Sequence, residues 1–247
     1  MKRAPQPPAP RTEGAAPSPS GAVAEFLHEA LASRKPAGTA LPSVGTAKGR
    51  LLFALDATAS RQPTWDRACQ IQDEMFKATA ALGGLQVQLS YFRGSNEFRA
   101  SPWLMNAHDL IDRMTAVRCQ RGMTQIERVL AHAVGEARQQ RVNALVYVGD
   151  AMEELPDALL ERAGQLALLN VPVFVFHEGG DPDAATTFRR IARLTRGAYL
   201  SFDSHSSQML RDLLAAVAIF AAGGPAALKD YSRSAGRDVQ RLIEQMR

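Results

Sequence analysis

Asp56-Ala57-Thr58-Ala59-Ser60 places one carboxylate and two hydroxyls at alternate positions. The segment closes the apolar run Leu51-Leu52-Phe53-Ala54-Leu55. A tight loop after a strand can aim residues i, i+2 and i+4 at one point. All three side chains offer oxygen, which suits a hard divalent cation such as Mg2+ or Mn2+. One carboxylate and two hydroxyls form a weak site, so more oxygen must come from other strand ends. Asp150, closing Val146-Tyr147-Val148-Gly149, can supply a second carboxylate. Thr124, opening a helical segment after Arg121-Gly122-Met123, can supply a third hydroxyl. A helix N-terminus there also favours an anionic ligand. The nearby Glu153 and Glu154 read as solvated residues of a helix start, where acids are favoured, or else as groups that tune the charge around the cation. The five histidines are scattered, and none adjoins the five oxygen donors in sequence. His177 ends an apolar strand and reads as structural. A donor set without a positioned general base points to binding rather than catalysis.

These residues converge only if particular elements hold them. Strands are expected at 50–56, 85–92, 143–150, 171–176 and 198–202, with an edge strand at 97–104 that returns after Gly94-Ser95-Asn96 and tolerates Pro102. Helices are expected at 62–82, with Ile71, Met75, Ala78 and Leu82 on one face, and at 107–115. Further helices are expected at 124–139, with Ile126, Val129, Leu130, Ala133 and Ala137 inward, and at 155–169, 183–195 and 208–221. Unbroken Val/Leu/Phe strands alternating with helices predict an α/β, Rossmann-like, doubly wound fold. Its mostly parallel sheet has about six strands, one of them an antiparallel edge strand, with helices on both faces. Ligands bind such sheets at the carboxyl ends of the strands, where Asp56 and Asp150 both fall.

Outside 49–222 the pattern changes. Residues 1–48 hold eight of the fourteen prolines and read as a disordered arm. Within it, Val23, Phe26, Leu27, Ala30 and Leu31 predict a short amphipathic helix near 20–33, with Ser20 as its cap. Residues 223–247 predict a closing amphipathic helix, with Leu228, Tyr231, Ala235, Val239, Leu242 and Met246 on one face.

Composition narrows the partners. The 247 residues are 46% hydrophobic and 22% charged, as in ordinary globular proteins. Of the formal charge of +4, half falls in residues 1–47 and half in the remaining chain. No part is strongly basic, so no nucleic-acid partner is expected. The apolar stretch Leu213–Ala222 is too short to span a bilayer, so no membrane insertion is expected. Met1–Pro10 is followed by no apolar run, so a secretory leader is not expected and a cytoplasmic location is. Cys69 and Cys119 read as reduced thiols.

The residues over about 49–222 resemble the von Willebrand factor A (VWA) family, in particular its intracellular bacterial type. That family builds a metal-ion-dependent adhesion site (MIDAS) from D-x-S-x-S after the first strand, a distant Thr, and an Asp after the fourth strand. Asp56, Thr58 and Ser60 match the first motif, Thr124 the distant Thr and Asp150 the distant Asp. Two positions depart: Thr58 stands for the first Ser, and Ala151 follows Asp150 where the family usually has Gly. The resemblance implies a metal-dependent adaptor, its Mg2+ or Mn2+ completed by an Asp or Glu of a partner protein. Family members of this type often serve ring-shaped ATPase complexes, which implies such a complex as one partner.

Two other readings stay open. One is a metal-free interaction scaffold on the same fold. The other is a phosphoryl-transfer enzyme of the haloacid dehalogenase type, which needs D-x-D where Thr58 stands. A P-loop lacks its Gly-Lys-Ser/Thr, a dinucleotide site lacks G-x-G-x-x-G, and a serine hydrolase lacks G-x-S-x-G.

Overall fold

A computed structural model describes residues 49–203 and 206–246. The arm at 1–48, with its predicted helix near 20–33, lies outside the described residues. Among the described residues the strands are β1 (Gly49–Asp56), β2 (Leu85–Arg93), β3 (Glu97–Ala100), β4 (Ala144–Gly149), β5 (Val173–Glu178) and β6 (Ala198–Phe202). They form one sheet in the order β3-β2-β1-β4-β5-β6. All neighbours pair in parallel except β2 and β3, whose antiparallel hairpin makes one edge. The order reverses direction between β1 and β4, which is where a doubly wound sheet opens a crevice at its carboxyl end.

β1 is buried along all eight residues, because its side chains enter two cores in alternation. Leu51, Phe53 and Leu55 face one core. It is closed by α1 (Gln62–Thr79), α2 (Ala107–Thr115), α6 (Ser207–Ser232) and α7 (Arg237–Gln245). Leu52 and Ala54 face the other, closed by α3 (Ile126–Gln139), α4 (Pro156–Leu168) and α5 (Pro182–Leu194). On α1, Met75 is fully buried and the side chain of Ile71 lies outside the described residues; the helix expected to 82 ends at Thr79, and Leu82, in the 3-10 turn Ala80–Leu82 that follows, packs at the margin of the first core. On α3, Ile126, Val129, Leu130 and Ala133 are buried, and Ala137 packs beside them.

The closing segment differs from the single helix expected. α6 runs on to Ser232 through a kink at Gly224, whose φ is 74° and which is followed by Pro225. The chain then breaks before Gly236, the N-cap residue of α7. The apolar face nevertheless holds across the break: Leu228, Val239 and Leu242 are buried in the first core, with Tyr231, Ala235 and Met246 against it. α7 also covers the far edge of the sheet, where the Gln245 side-chain oxygen accepts from the Tyr199 backbone N–H at 2.9 Å. By length and composition Gln208–Ser232 is apolar enough to cross a membrane. Here Leu213, Ala216, Val217 and Ala218 are fully buried against the sheet.

Candidate metal centre

Backbone geometry brings Asp56, Thr58 and Ser60 together first. The Thr58 N–H donates to Asp56 Oδ1 at 2.7 Å, an Asx-type turn that folds the chain back directly after β1. The Arg61 N–H donates to the Thr58 carbonyl at 3.0 Å, starting the short 3-10 turn Ala59–Arg61. Thr58 Oγ1 and Ser60 Oγ lie 3.3 Å apart, and Ser60 Oγ donates to Asp150 Oδ2 at 2.9 Å. The end of β1 and the end of β4 are thereby joined.

The loop leading to Thr124 is tied to the same place. The Gln120 N–H donates to the Ala57 carbonyl at 3.0 Å, and the Cys119 N–H to Gln62 Oε1 at 3.0 Å. Gly122 passes so close to the β2–β3 turn that a Cβ there would lie 1.9 Å from the Gly94 carbonyl oxygen. Only glycine permits that approach. Asp56, Thr58, Ser60, Thr124 and Asp150 all line one open cleft of about 600 Å³, together with Arg121, Gly122 and Glu153.

Asp56 is 2% exposed, and its Oδ2 is buried with no hydrogen-bond partner among the described residues. Burial raises its carboxyl to about 6 from 3.8. The Asp150 charge adds to this rise, while hydrogen bonds from Thr58 and the Arg61 charge oppose it. Arg61 is itself buried and paired with Glu178 at the end of β5, which also accepts from Thr64 Oγ1. Behind the cleft, Tyr147 is wholly buried with an unpartnered hydroxyl. Burial pushes that phenol well up, with the Asp56 and Glu154 charges adding to it. An unpartnered carboxylate oxygen beside a second carboxylate and three hydroxyls is a donor set fitted to a hard cation. No group of three or more His, Cys, Asp or Glu suited to a metal occurs among the described residues, so a cation held here would need the hydroxyls as donors.

Two departures from the resembled motif fit this backbone. Ala151 needs no left-handed conformation, because among the described residues only Asn170 and Arg196 show positive φ besides glycines. Thr58 is accommodated at 8% exposure with its hydroxyl on Ser60.

Around the cleft, two glutamates and the start of α3 differ from the sequence reading. Glu153 and Glu154 do not simply sit solvated before α4. Glu153 Oε2 accepts from the Thr124 N–H at 2.7 Å, and the Glu153 N–H donates to Thr124 Oγ1 at 2.9 Å. The Glu154 carboxylate accepts from the Thr124 hydroxyl and from the Ile126 N–H, with the Glu127 N–H at 3.3 Å. It thus caps α3, whose own N-cap residue Gln125 makes no side-chain cap bond. Thr124 lies two residues before α3 and not inside it. His177 is fully buried, with Nε2 3.1 Å from the Asp150 carbonyl and Nδ1 2.9 Å from the Tyr199 hydroxyl. Those partners fix the tautomer with its proton on Nε2, so His177 supports the Asp150 turn from below.

The fold is that of a VWA domain. It matches a von Willebrand factor type A protein from Catenulispora acidiphila with a TM-score of 0.58 at 15% identity, covering 69% of this chain and 42% of that one. It matches proximal thread matrix protein 1 from the mussel byssus, with a zinc-occupied MIDAS motif, with a TM-score of 0.58 at 15% identity, over 70% of this chain and 48% of that one. It also matches the SpRpn10 VWA domain with a TM-score of 0.51 at 12% identity, over 66% of this chain and 94% of that one. The chain spans less than half the length of the first two. No protein-family profile matches the sequence, and no curated protein does.

Proposed function

We propose that this chain is a protein-binding adaptor whose VWA domain holds a divalent cation at the carboxyl end of β1 and β4. Asp56, Thr58, Ser60, Thr124 and Asp150 would hold the cation. The observation that carries the reading is the buried, unpartnered Oδ2 of Asp56 in a cleft lined by the other four donors. Mg2+ or Mn2+ suits such oxygens. The zinc-occupied MIDAS of the mussel protein supports a metal at this place in the fold. When bound, the ion supplies an electrophilic point for an outside ligand. The chain's own residues orient that point: the Asx-type turn at Asp56 fixes one wall, and Ser60 bonded to Asp150 fixes another.

An acidic side chain of a partner protein is the ligand this arrangement favours, because five protein oxygens leave an octahedral cation one position short and a carboxylate oxygen fills it. We assign no catalytic role to the chain, and place it in the cytoplasm, on the sequence reading alone. An ATPase complex is one such partner on the same ground. The test is capture of partners by wild type and by Asp150→Ala, each with Mn2+ and with chelator. Chelator and Asp150→Ala are expected to release the same partners. Equal recovery in all four conditions rejects metal-dependent binding and leaves the metal-free scaffold.

A further inference from the structure

We infer that Glu154 is a positioning residue for the metal centre: its carboxylate takes the Thr124 proton and so leaves a Thr124 lone pair for the cation. The inference rests on the metal-binding reading above. A hydroxyl has one proton and two lone pairs. The Thr124 proton is spent on Glu154, and one lone pair accepts from the Glu153 N–H at 2.9 Å. One lone pair remains, and Thr124 forms part of the cleft wall. The independent sign that this cleft awaits a positive charge is Asp56 Oδ2, buried and unpartnered on the same wall. A carboxylate that accepts from a ligand's proton also makes the ligand oxygen a better donor, as outer partners of metal ligands do.

Glu154 has a second duty that makes the arrangement rigid. The same carboxylate accepts from the Ile126 and Glu127 N–H groups, so the hydroxyl is held against the N-terminus of α3. Every group facing Glu154 here is a donor: one O–H and two N–H. An amide in its place cannot serve them all. Glu154→Gln can keep its oxygen on the two N–H groups, but its NH2 then faces Thr124 Oγ1 and donates to it. Both Thr124 lone pairs are then occupied, and its proton turns toward the cleft, where it repels a cation.

The test is Mn2+ titration by calorimetry on the full chain, alongside the unfolding midpoint of each variant. Glu154→Gln is expected to weaken Mn2+ binding about tenfold, the lower range for outer partners of a metal ligand. Thr124→Val is expected to weaken it comparably, and the double variant no further, since both act through one oxygen. Wild-type affinity in Glu154→Gln, or losses that add fully in the double variant, overturns the inference. Wild-type affinity in Thr124→Val overturns it too, which keeps the test decisive even if Glu154→Gln lowers the midpoint. If wild type binds Mn2+ and Asp56→Ala abolishes it, any such failure belongs to the Glu154 inference alone. If wild type takes no Mn2+, the metal reading fails and this inference fails with it.

Discussion

Asp56 carries the cost of the site. A carboxylate at 2% exposure, with one oxygen unpartnered, is unfavourable when charged and uncompensated. Its carboxyl titrates at about 6 in the folded chain against 3.8 as the reference value. Between those values the folded chain holds more protons than the unfolded one. The stability this gives is therefore present at acid pH and lost as pH rises through 6. His177 runs the other way: burial lowers it below 6.5, so the contribution of its neutral ring is present above 6.5 and lost as pH falls. In chelator at pH 7.5, Asp56→Asn is expected to raise stability by about 2–3 kcal/mol, the size of the carboxyl's shift. The gain should shrink as pH falls from 6 towards 4, where the protonated acid resembles the amide. The same variant should lose every response to Mn2+. Denaturant melts across that pH range check it, and an Asn variant less stable than wild type at pH 7.5 contradicts the cost assigned to Asp56. A cation bound here would compete with a proton for this carboxyl, so Mn2+ affinity should also fall as pH drops through 6.

Elements were largely legible in the sequence where one face or two faces of apolar residues set them. The strand ends that carry Asp56 and Asp150, and the antiparallel hairpin at the edge, followed from unbroken apolar runs and one turn. What joins loops far apart in sequence was not. Glu154 stands beside its own helix, α4, and local reasoning about helix starts assigns it there, yet the fold spends it on α3. Gly122 gave no signal either, because its reason is a neighbour 28 positions away in the chain, Gly94. Gly122→Ala must push the loop off the hairpin turn. It is expected to destabilise by roughly 2 kcal/mol, within the usual range for steric changes, and to weaken Mn2+ binding by moving Thr124. A variant with unchanged affinity would show that the loop need not touch the turn. The break at 233–236 was likewise hidden, since the apolar spacing runs through it. Its consequence is the cover of β6, where Gln245→Ala leaves the Tyr199 N–H without its side-chain acceptor. That loss should cost about 1–2 kcal/mol in the unfolding free energy and speed exchange of the Tyr199 amide.

For the described part of the molecule, the site is not an appendage to either core. β1 feeds both cores by alternation, Asp56 ends it, and Glu154 ties the Thr124 loop to α3. A cation held at this point would touch chain that is folded only when both helical layers are in place, so binding should couple to global unfolding. A ligand that binds only the folded state stabilises it by RT ln(1 + [L]/Kd). With 1 mM free Mn2+ and a dissociation constant of about 10 μM, that is about 2.7 kcal/mol. For a domain of this size each kcal/mol moves the midpoint by about 2–4 °C, so the rise should be roughly 5–10 °C. It should appear as one transition displaced as a whole, not as an added phase. Differential scanning calorimetry with Mn2+, with Mg2+ and with chelator measures it. Asp56→Ala supplies the reference, with no displacement in any of the three. A wild-type midpoint that ignores millimolar Mn2+ would remove the cation from the account and leave the VWA fold as a metal-free platform. A metal-dependent second transition would instead mean that the loops around the cleft fold apart from the sheet.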